Sequence, residues 1–483
     1  MSDAIDVAVV GSGPNGLAAA VTLARAGLAV RVYEAASEPG GGARTAELTL
    51  PGFHHDVCSA VHPMALASPF FRAFGLERRI DLRLPELSYG HPLDGGRAGL
   101  AWRDLARTAE GLGRDGRAYA RLLGPLVAHD DEVTEFTSSS LLRVPRHPLV
   151  AARFGFAALE QGGPAWNARF DEDLAPAMLT GVAAHTIRPM PSLATAGAGL
   201  VLTMHAHARG WPIPVGGSGA IVGALVDDLL AHGGEVVTDV AVDDLAALPR
   251  TRAVVLDVTP RALARIAGRR LPDRYRRALA RFRYGNAAAK VDFALSGPVP
   301  WANSALAGAG TLHLGGTRAE IAAGEREVAR GRHPESPYVL LSQPSVVDAT
   351  RAPEGRHTLW TYTHVPAGST HDPTDAVVRQ IERFAPGFRD VILASASRTA
   401  VEMQAENANY IGGDIAAGVP TMLQLLRRPV LSPDPWRTPL AGVYLASAST
   451  PPGPGVHGLA GWHAARSALR HTFGLTVAPS LAP

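Results

Sequence analysis

Glycines near the N-terminus have the spacing that binding of a pyrophosphate requires. Gly11 permits a tight turn after a strand, Gly13 lets the backbone approach a phosphate, and Gly16 allows close packing of helix on strand. Pro14 and Asn15 open the helix that follows, and helix N-termini present free N–H groups and partial positive charge to phosphates. The hexapeptide therefore predicts a dinucleotide-binding turn.

The flanking segments supply the elements that would position this turn. Residues 5–10 form a short apolar run typical of a buried parallel strand, and residues 14–26 have helical periodicity. Residues 29–33 read as a second strand, and Glu34 follows it, 23 residues after Gly11. A carboxylate at the end of this strand can accept hydrogen bonds from ribose hydroxyls. The unit as a whole predicts a dinucleotide site.

A second glycine-rich loop follows the ribose-binding acid. Gly40, Gly41 and Gly42 precede Ala43 and Arg44. The glycines allow a second close approach of the backbone, and Arg44 offers a cation. Since an NAD domain has no physical need for such a loop at this position, we interpret it as indicating FAD.

The third cofactor segment lies near the C-terminus. A buried-type strand at residues 443–447 enters a Gly/Pro-rich loop containing Gly455, Val456 and His457, and residues 456–469 have helical periodicity. A helix N-terminus aimed at the flavin C2 carbonyl would stabilise negative charge on a reduced ring. We therefore expect this loop to face the flavin.

These segments resemble the phytoene desaturase-like flavoproteins, within the broader glutathione-reductase-type FAD fold. The resemblance is carried by residues 9–16, 33–45, 51–69, 214–223 and 442–466, and the middle of the chain matches loosely. It implies non-covalent FAD at Gly11, Gly13, Gly16, Glu34, Gly41, Gly42 and Arg44. It also implies that Val240 approaches the adenine. Ala446 and Ser447 stand where family members often carry glycine.

Candidates on the substrate side are histidines. His457 is a candidate catalytic residue because it lies in the cofactor loop, although a structural loop histidine has the same sequence context. His54, His55 and His62 follow the second glycine loop and could line the substrate entrance. Their spacing matches no known metal-ligand pattern, so we expect no metal site. Lys290 lies in an apolar strand, as a paired or snorkelling lysine would.

The α/β segments recur at the start, middle and end of the chain, which predicts an interleaved architecture. We expect an α/β fold with a Rossmann-like FAD-binding domain assembled from residues 1–90, 205–285 and 430–475. An interleaved α+β substrate domain would comprise residues 91–204 and 286–429, in the manner of amine oxidases and phytoene desaturases. Residues 476–483 would form a C-terminal tail.

Composition excludes several classes of protein. The chain has 46 Lys and Arg against 44 Asp and Glu, so it lacks the excess of positive charge that is typical of nucleic-acid-binding proteins. Its single cysteine, Cys58, excludes a redox cysteine pair. No apolar run reaches membrane-spanning length, so we expect a cytoplasmic protein. Residues 137–159 place three arginines among apolar residues, which suits either peripheral membrane contact or core packing with a solvated face.

The favoured hypothesis is an FAD-dependent oxidoreductase that transfers hydride from an apolar or amphiphilic substrate to flavin N5, with an unknown electron acceptor. Alternatives are an FAD-dependent isomerase without net redox change and a non-catalytic FAD-binding regulatory or interaction protein. We expect an elongated, mostly apolar cavity that begins at the flavin and runs between the two domains. His457 and one or more of His54, His55 and His62 should lie near its flavin end.

Overall fold

The computed structural model describes residues 5–483. A parallel five-stranded sheet forms its first layer, in the order β16-β10-β1-β2-β9. Its strands are β1 (Val7–Val10), β2 (Val30–Tyr33), β9 (Glu235–Val237), β10 (Ala253–Leu256) and β16 (Val443–Leu445). Every pairing between them is parallel. The carboxyl ends of strands from three distant chain segments thus meet at one edge.

Helices cover both faces of this sheet. On one face lie α1 (Pro14–Ala24), α9 (Gly219–Ala231) and α16 (Leu459–His471), and on the other α10 (Pro260–Ala267) and α11 (Asp273–Ala280). The apolar residues of β1 are buried between the two helical layers, as parallel strands with both faces covered require. Gly461 of α16 packs so closely on α1 that a Cβ there would overlap the carbonyl oxygen of Asn15.

A second, mixed sheet has seven strands in the order β15-β11-β14-β13-β12-β6-β7. Its strands are β6 (Leu87–Pro92), β7 (Ala98–Trp102), β11 (Ala287–Leu295), β12 (Thr311–Leu314), β13 (Val339–Ser342), β14 (His357–Val365) and β15 (Ile392–Arg398). One side of this sheet packs on an apolar core that includes α13 (Thr374–Glu382). The other side faces the space between the two sheets, where Trp360 and Tyr362 lie.

The middle of the chain forms a helical layer. Its helices are α3 (Leu105–Gly111), α4 (Gly116–Val127), α5 (Asp130–Thr137), α6 (Pro148–Gly162), α7 (Leu174–Ala183) and α8 (Leu193–Ala208). Of these, α5, α6 and α8 line the space between the sheets. The remaining elements are the hairpin β3 (Thr45–Glu47) and β4 (His54–Asp56), the pair β5 (Leu82–Arg83) and β8 (Ile213–Pro214), and the helices α2 (Pro69–Phe74), α12 (Arg318–Ala329), α14 (Ala400–Glu406) and α15 (Met422–Leu426).

The predicted fold class is confirmed: a Rossmann-like domain drawn from three segments, with an interleaved α+β region. Local predictions differ at element ends. The C-terminal helix begins at Leu459 instead of residue 456, because residues 454–457 belong to the cofactor loop. The amphipathic stretch 137–159 is divided between the end of α5, a loop and α6. In the described part of the chain, no helix is both long and apolar enough to cross a bilayer.

Candidate functional site

A large cavity of about 1540 Å³ lies between the two sheets. One end is lined by the loops that follow β1, β2 and β10, and the other by α6, α8 and the inner side of the mixed sheet. Drug-sized ligand pockets occupy roughly 300–1,000 Å³. The cavity therefore has room for a dinucleotide and for a second molecule beyond it.

The glycine turn forms the narrow wall at the first end. Gly11 has a φ of +95°, which favours glycine, and the N–H of Gly11 donates to Tyr33 O. A Cβ at Gly16 would overlap the carbonyl oxygen of Gly11, so any side chain here would push α1 away from β1. Gly13, Pro14 and Asn15 line the cavity at the start of α1. The turn thus leaves the bare backbone that a pyrophosphate needs.

Glu34 is oriented by hydrogen bonds from the glycine turn and from its own loop. Its Oε2 accepts hydrogen bonds from the backbone N–H of Ser12 at 2.8 Å and from the Ser12 hydroxyl at 2.5 Å. Its Oε1 accepts from the N–H of Ala36 at 2.9 Å. The N–H of Val240 donates to the carbonyl oxygen of Glu34, so Glu34 and Val240 sit side by side on the cavity wall. This is the arrangement expected of a ribose and adenine site.

The second glycine loop closes over the first. Gly41 has a φ of +54°, and a Cβ there would lie 3.3 Å from the Cα of Gly13. Gly42 is covered by the hydroxyl of Tyr410, which a Cβ would displace. Arg44 lines the cavity, where its Nε donates to Gly41 O at 3.0 Å and its guanidinium pairs with Glu406.

Two features of this end were not predicted. The segment 404–411, which comprises the end of α14 and the loop after it, forms a wall beside the second glycine loop. Asp257, directly after β10, lines the cavity, and its Oδ2 accepts the N–H of Gly16 at 2.9 Å. Burial raises the pKa of the Asp257 carboxyl to about 7, and the nearby charge of Glu34 adds to this. Because carboxyl ends of neighbouring parallel strands share an edge, the position of β10 beside β1 was the available signal for Asp257.

The C-terminal loop brings a second helix N-terminus to the same cavity. Gly455, Val456 and His457 line it directly before α16. Both ring nitrogens of His457 bind backbone: Nδ1 accepts the N–H of Leu459 at 3.0 Å, and Nε2 lies 3.2 Å from Gly453 O. Burial lowers the pKa of His457 to about 4, so the ring is neutral at pH 7. His457 therefore fixes the loop, and a direct catalytic role remains a prediction.

The other candidate histidines are separated by the fold. His62 lines the cavity, and its Nε2 lies 2.7 Å from the Ser218 hydroxyl. His54 and His55 lie in β4, outside the cavity lining. His55 is buried with its Nε2 2.8 Å from the Thr49 hydroxyl, and burial lowers its pKa to about 3.

Lys290 lies outside the cavity lining as well. It is fully buried in β11, where its ammonium group pairs with Asp292. The described residues contain no group of three side chains that could hold a metal ion.

The second end of the cavity is an apolar chamber. Its walls include Phe154 and Ala158 of α6, Val201 of α8, Trp211, and Trp360 of the mixed sheet. The chamber also includes further apolar residues: Leu141, Leu159, Ala194, Ala198, Leu202 and Leu340. An apolar wall excludes water and selects for apolar ligands.

A pair of histidines brings polar chemistry to this chamber. His185 lines the cavity, and its Nε2 lies 2.9 Å from the Nε2 of His313 behind it. Burial lowers the pKa of His185 to about 3 and holds the pKa of His313 well below its usual range, so both rings are neutral at pH 7. One ring therefore donates its Nε2–H to the unprotonated Nε2 of the other. The pair lies 128 residues apart in sequence, and no local pattern indicated it.

Comparisons with known sequences agree with this geometry at the dinucleotide end. Residues 9–74 match the profile of the NAD(P)-binding Rossmann-like domain. The chain is 26% identical to pyridine nucleotide-disulfide oxidoreductase domain-containing protein 2 of Rattus norvegicus, over 96% of this chain and 93% of the rat protein. Over 131 residues the chain is 33% identical to 4,4'-diapolycopen-4-al dehydrogenase of Metabacillus indicus. This stretch covers 26% of this chain and 26% of that protein.

Solved structures share the complete fold. A triple mutant of putrescine oxidase superposes with a TM-score of 0.59 at 16% identity, covering 96% of this chain and 98% of that one. Reduced UDP-galactopyranose mutase superposes with a TM-score of 0.54 at 14% identity, covering 99% and 96%. At these identities the likeness is one of fold. The site itself must therefore carry the functional argument.

Proposed function

We propose that the protein binds FAD non-covalently and oxidises or desaturates an apolar or amphiphilic molecule. The observation that carries this proposal is the continuity of the cavity. The dinucleotide site at one end, formed by the loops after β1, β2 and β10, opens directly into the apolar chamber at the other end. A bound dinucleotide would thus present its reactive end to whatever the chamber holds.

The residues at the dinucleotide end of the cavity favour FAD over NAD. The loop of Gly41, Gly42 and Arg44 lies against Gly13, and an NAD domain has no need of this second approach. The site continues to the N-terminus of α16, where a helix end can stabilise negative charge on a reduced flavin ring. Residues at the phosphates would be Gly13, Pro14 and Asn15, with Glu34 at the ribose. Gly16, predicted at the cofactor, instead packs α1 on β1 and does not line the cavity.

When bound, FAD supplies an acceptor for hydride from a substrate carbon. The chain contributes orientation and exclusion of water, through the chamber walls of α6, α8 and the mixed sheet. A dithiol relay is absent from this scheme because the chain has one cysteine, although the name of the rat relative mentions a disulfide. An external two-electron acceptor such as a quinone or dioxygen must regenerate the oxidised cofactor.

The chamber indicates the substrate class. Aliphatic and aromatic side chains dominate its lining, and His185 is neutral at pH 7. A charged diamine or dicarboxylate would find no counter-charge among Phe154, Val201 and Trp360. One sequence relative is named 4,4'-diapolycopen-4-al dehydrogenase, and the substrate in that name supports a polyene-like ligand here.

Anaerobic titration tests the proposal. FAD-loaded protein is mixed with a linear polyene, a long-chain fatty acid or putrescine, and oxidised-flavin absorbance is followed. We expect an apolar probe to bleach the flavin and putrescine to leave it oxidised. Ala198→Phe, which fills the chamber, should abolish bleaching while FAD content is unchanged. Bleaching by putrescine alone would contradict the apolar assignment.

The same titration separates the alternatives. Transient bleaching followed by full return, with a rearranged product, would identify an isomerase. Tight FAD binding with no bleaching by any probe would favour the non-catalytic role.

A further inference from the structure

The outward face of α6 is unusually apolar. Leu149, Ala152, Phe156 and Leu159 recur at helical spacing on this face, and the side chains of Leu149 and Phe156 are 85% and 72% exposed. The opposite face, with Phe154 and Ala158, is buried against the rest of the molecule. A surface helix normally carries polar residues outside. The outward face of α6 therefore carries apolar residues at positions where a solvent-exposed helix normally carries polar ones.

The loop before α6 extends this surface. Leu142 and Val144 lie in it, and Val144 is 89% exposed. We call the exposed apolar residues of the loop and helix the α6 face: Leu142, Val144, Leu149, Ala152, Phe156 and Leu159. A contiguous apolar surface of this kind marks a site of contact with a partner or a membrane.

Basic side chains are interspersed with the α6 face. Arg143, Arg146 and Arg153 are exposed, and residues 141–159 contain no acidic residue. Arg143 and Arg146 share one carboxylate, that of Glu135, at 4.0 and 3.7 Å. Arg153 forms no ion pair with any described residue. The surface is therefore both apolar and positively charged.

The α6 face lies at the wall of the apolar chamber. Ala151, Phe154, Gly155 and Ala158 of α6 line the chamber from within. Leu159 lines the cavity and is also 55% exposed, so it lies where the chamber reaches the surface. Leu159 therefore belongs both to the α6 face and to the chamber wall, so the two apolar surfaces adjoin.

We propose that the α6 face docks the protein on a bilayer containing anionic phospholipid. The apolar side chains would enter the acyl-chain boundary, and the three arginines would contact the anionic headgroups. A second copy of the chain suits the surface less well, since a two-fold contact would bring like-charged arginines together. Delivery of substrate from the bilayer into the chamber rests on the proposed function, whereas docking itself does not.

Co-sedimentation with vesicles tests the docking without any measurement of activity. Wild-type protein should sediment with phosphatidylcholine vesicles that contain phosphatidylglycerol, and less with pure phosphatidylcholine or at high salt. The double variant Leu149→Ser with Phe156→Ser should bind at least about tenfold more weakly, because two large apolar side chains are lost from the interface. Both positions are exposed, so we expect unchanged thermal stability.

A matched control comes from the C-terminus. Leu475 and Val477 are 42% and 84% exposed but lie outside the α6 face. Leu475→Ser with Val477→Ser should sediment as wild type does. Failure of wild-type protein to bind the anionic vesicles, or equal binding by the α6 double variant, would overturn the proposal. A dimer in solution that the α6 double variant dissociates would also overturn it, by assigning the face to a second copy.

Discussion

Glu34 is held at the cavity wall by three hydrogen bonds, and we propose that it binds the ribose. Charge-assisted hydrogen bonds contribute about 1.5–3 kcal/mol each, so Glu34→Ala should weaken FAD binding by about tenfold or more. Glu38→Ala, four residues later and exposed, is the matched control and should bind FAD as wild type does. Equal affinities of a folded Glu34→Ala protein and wild type, by calorimetry, would exclude the ribose role.

We expect Asp257 to make the affinity for FAD depend on pH. Its pKa is raised to about 7, mainly by burial, so the carboxyl is mostly neutral below pH 7 and mostly ionised above it. An ionised carboxylate at the start of α1 repels phosphate. We therefore expect FAD affinity to fall as the pH rises through 7, by up to about tenfold per pH unit.

The variant Asp257→Asn should remove this dependence, because the amide stays neutral while its oxygen can still accept the N–H of Gly16. Affinity should then be flat across pH 7 and higher than wild type on the alkaline side. The same pH profile in both proteins would assign the titration to another group.

His185 should position substrate. Its lowered pKa makes it a poor base at neutral pH, whereas a neutral imidazole can hydrogen-bond an end group. His185→Leu should lower kcat/KM by about fivefold to tenfold, the effect of one hydrogen bond of about 1–1.5 kcal/mol, mainly through KM. His185→Gln should restore part of it. A loss confined to kcat, with a new pH dependence, would instead indicate proton transfer.

At the scale of elements, the contact of α1 with α16 brings two helix N-termini to one cavity. A Cβ at Gly461 would overlap the backbone of α1, so Gly461→Ala must force the helices apart. We expect a loss of roughly 1–3 kcal/mol in the free energy of unfolding, together with weaker FAD binding. Thermal melts with and without FAD measure both.

Gly223→Ala in α9 is the control for this substitution. A Cβ there meets no atom within 4 Å. Since alanine favours helix over glycine by up to about 1 kcal/mol, this variant should be as stable as wild type or more so. Equal behaviour of the two variants would show that the close crossing is unimportant.

Local patterns in the sequence predicted those elements whose chemistry is local. The turn at Gly11, the acid at Glu34 and the interleaved α/β fold follow from spacing and periodicity. Asp257 and His313 could not be found in this way, because Asp257 acts on a residue 241 positions away and His313 on one 128 away. The backbone bonds of His457 depend on loop conformation, which residue type does not determine.

At the scale of the molecule, the two sheets enclose one cavity that neither forms alone. The parallel sheet supplies the dinucleotide cradle, and the mixed sheet with α6 and α8 supplies the apolar chamber. Because three separate segments of the chain contribute strands to the parallel sheet, the segments between them hold the chamber next to the dinucleotide site. A single ligand bound at the dinucleotide end would therefore extend toward the chamber.

Identification of the dinucleotide bound to the purified protein tests this claim most directly. The protein is denatured without proteolysis, and the released chromophore is separated and quantified against FAD, FMN and NAD standards. We predict about one FAD per chain, released without covalent attachment, with reconstitution of stripped protein by FAD and not by NAD. Protein that carries and takes up NAD alone, or that fails to bind FAD on reconstitution, would contradict the account.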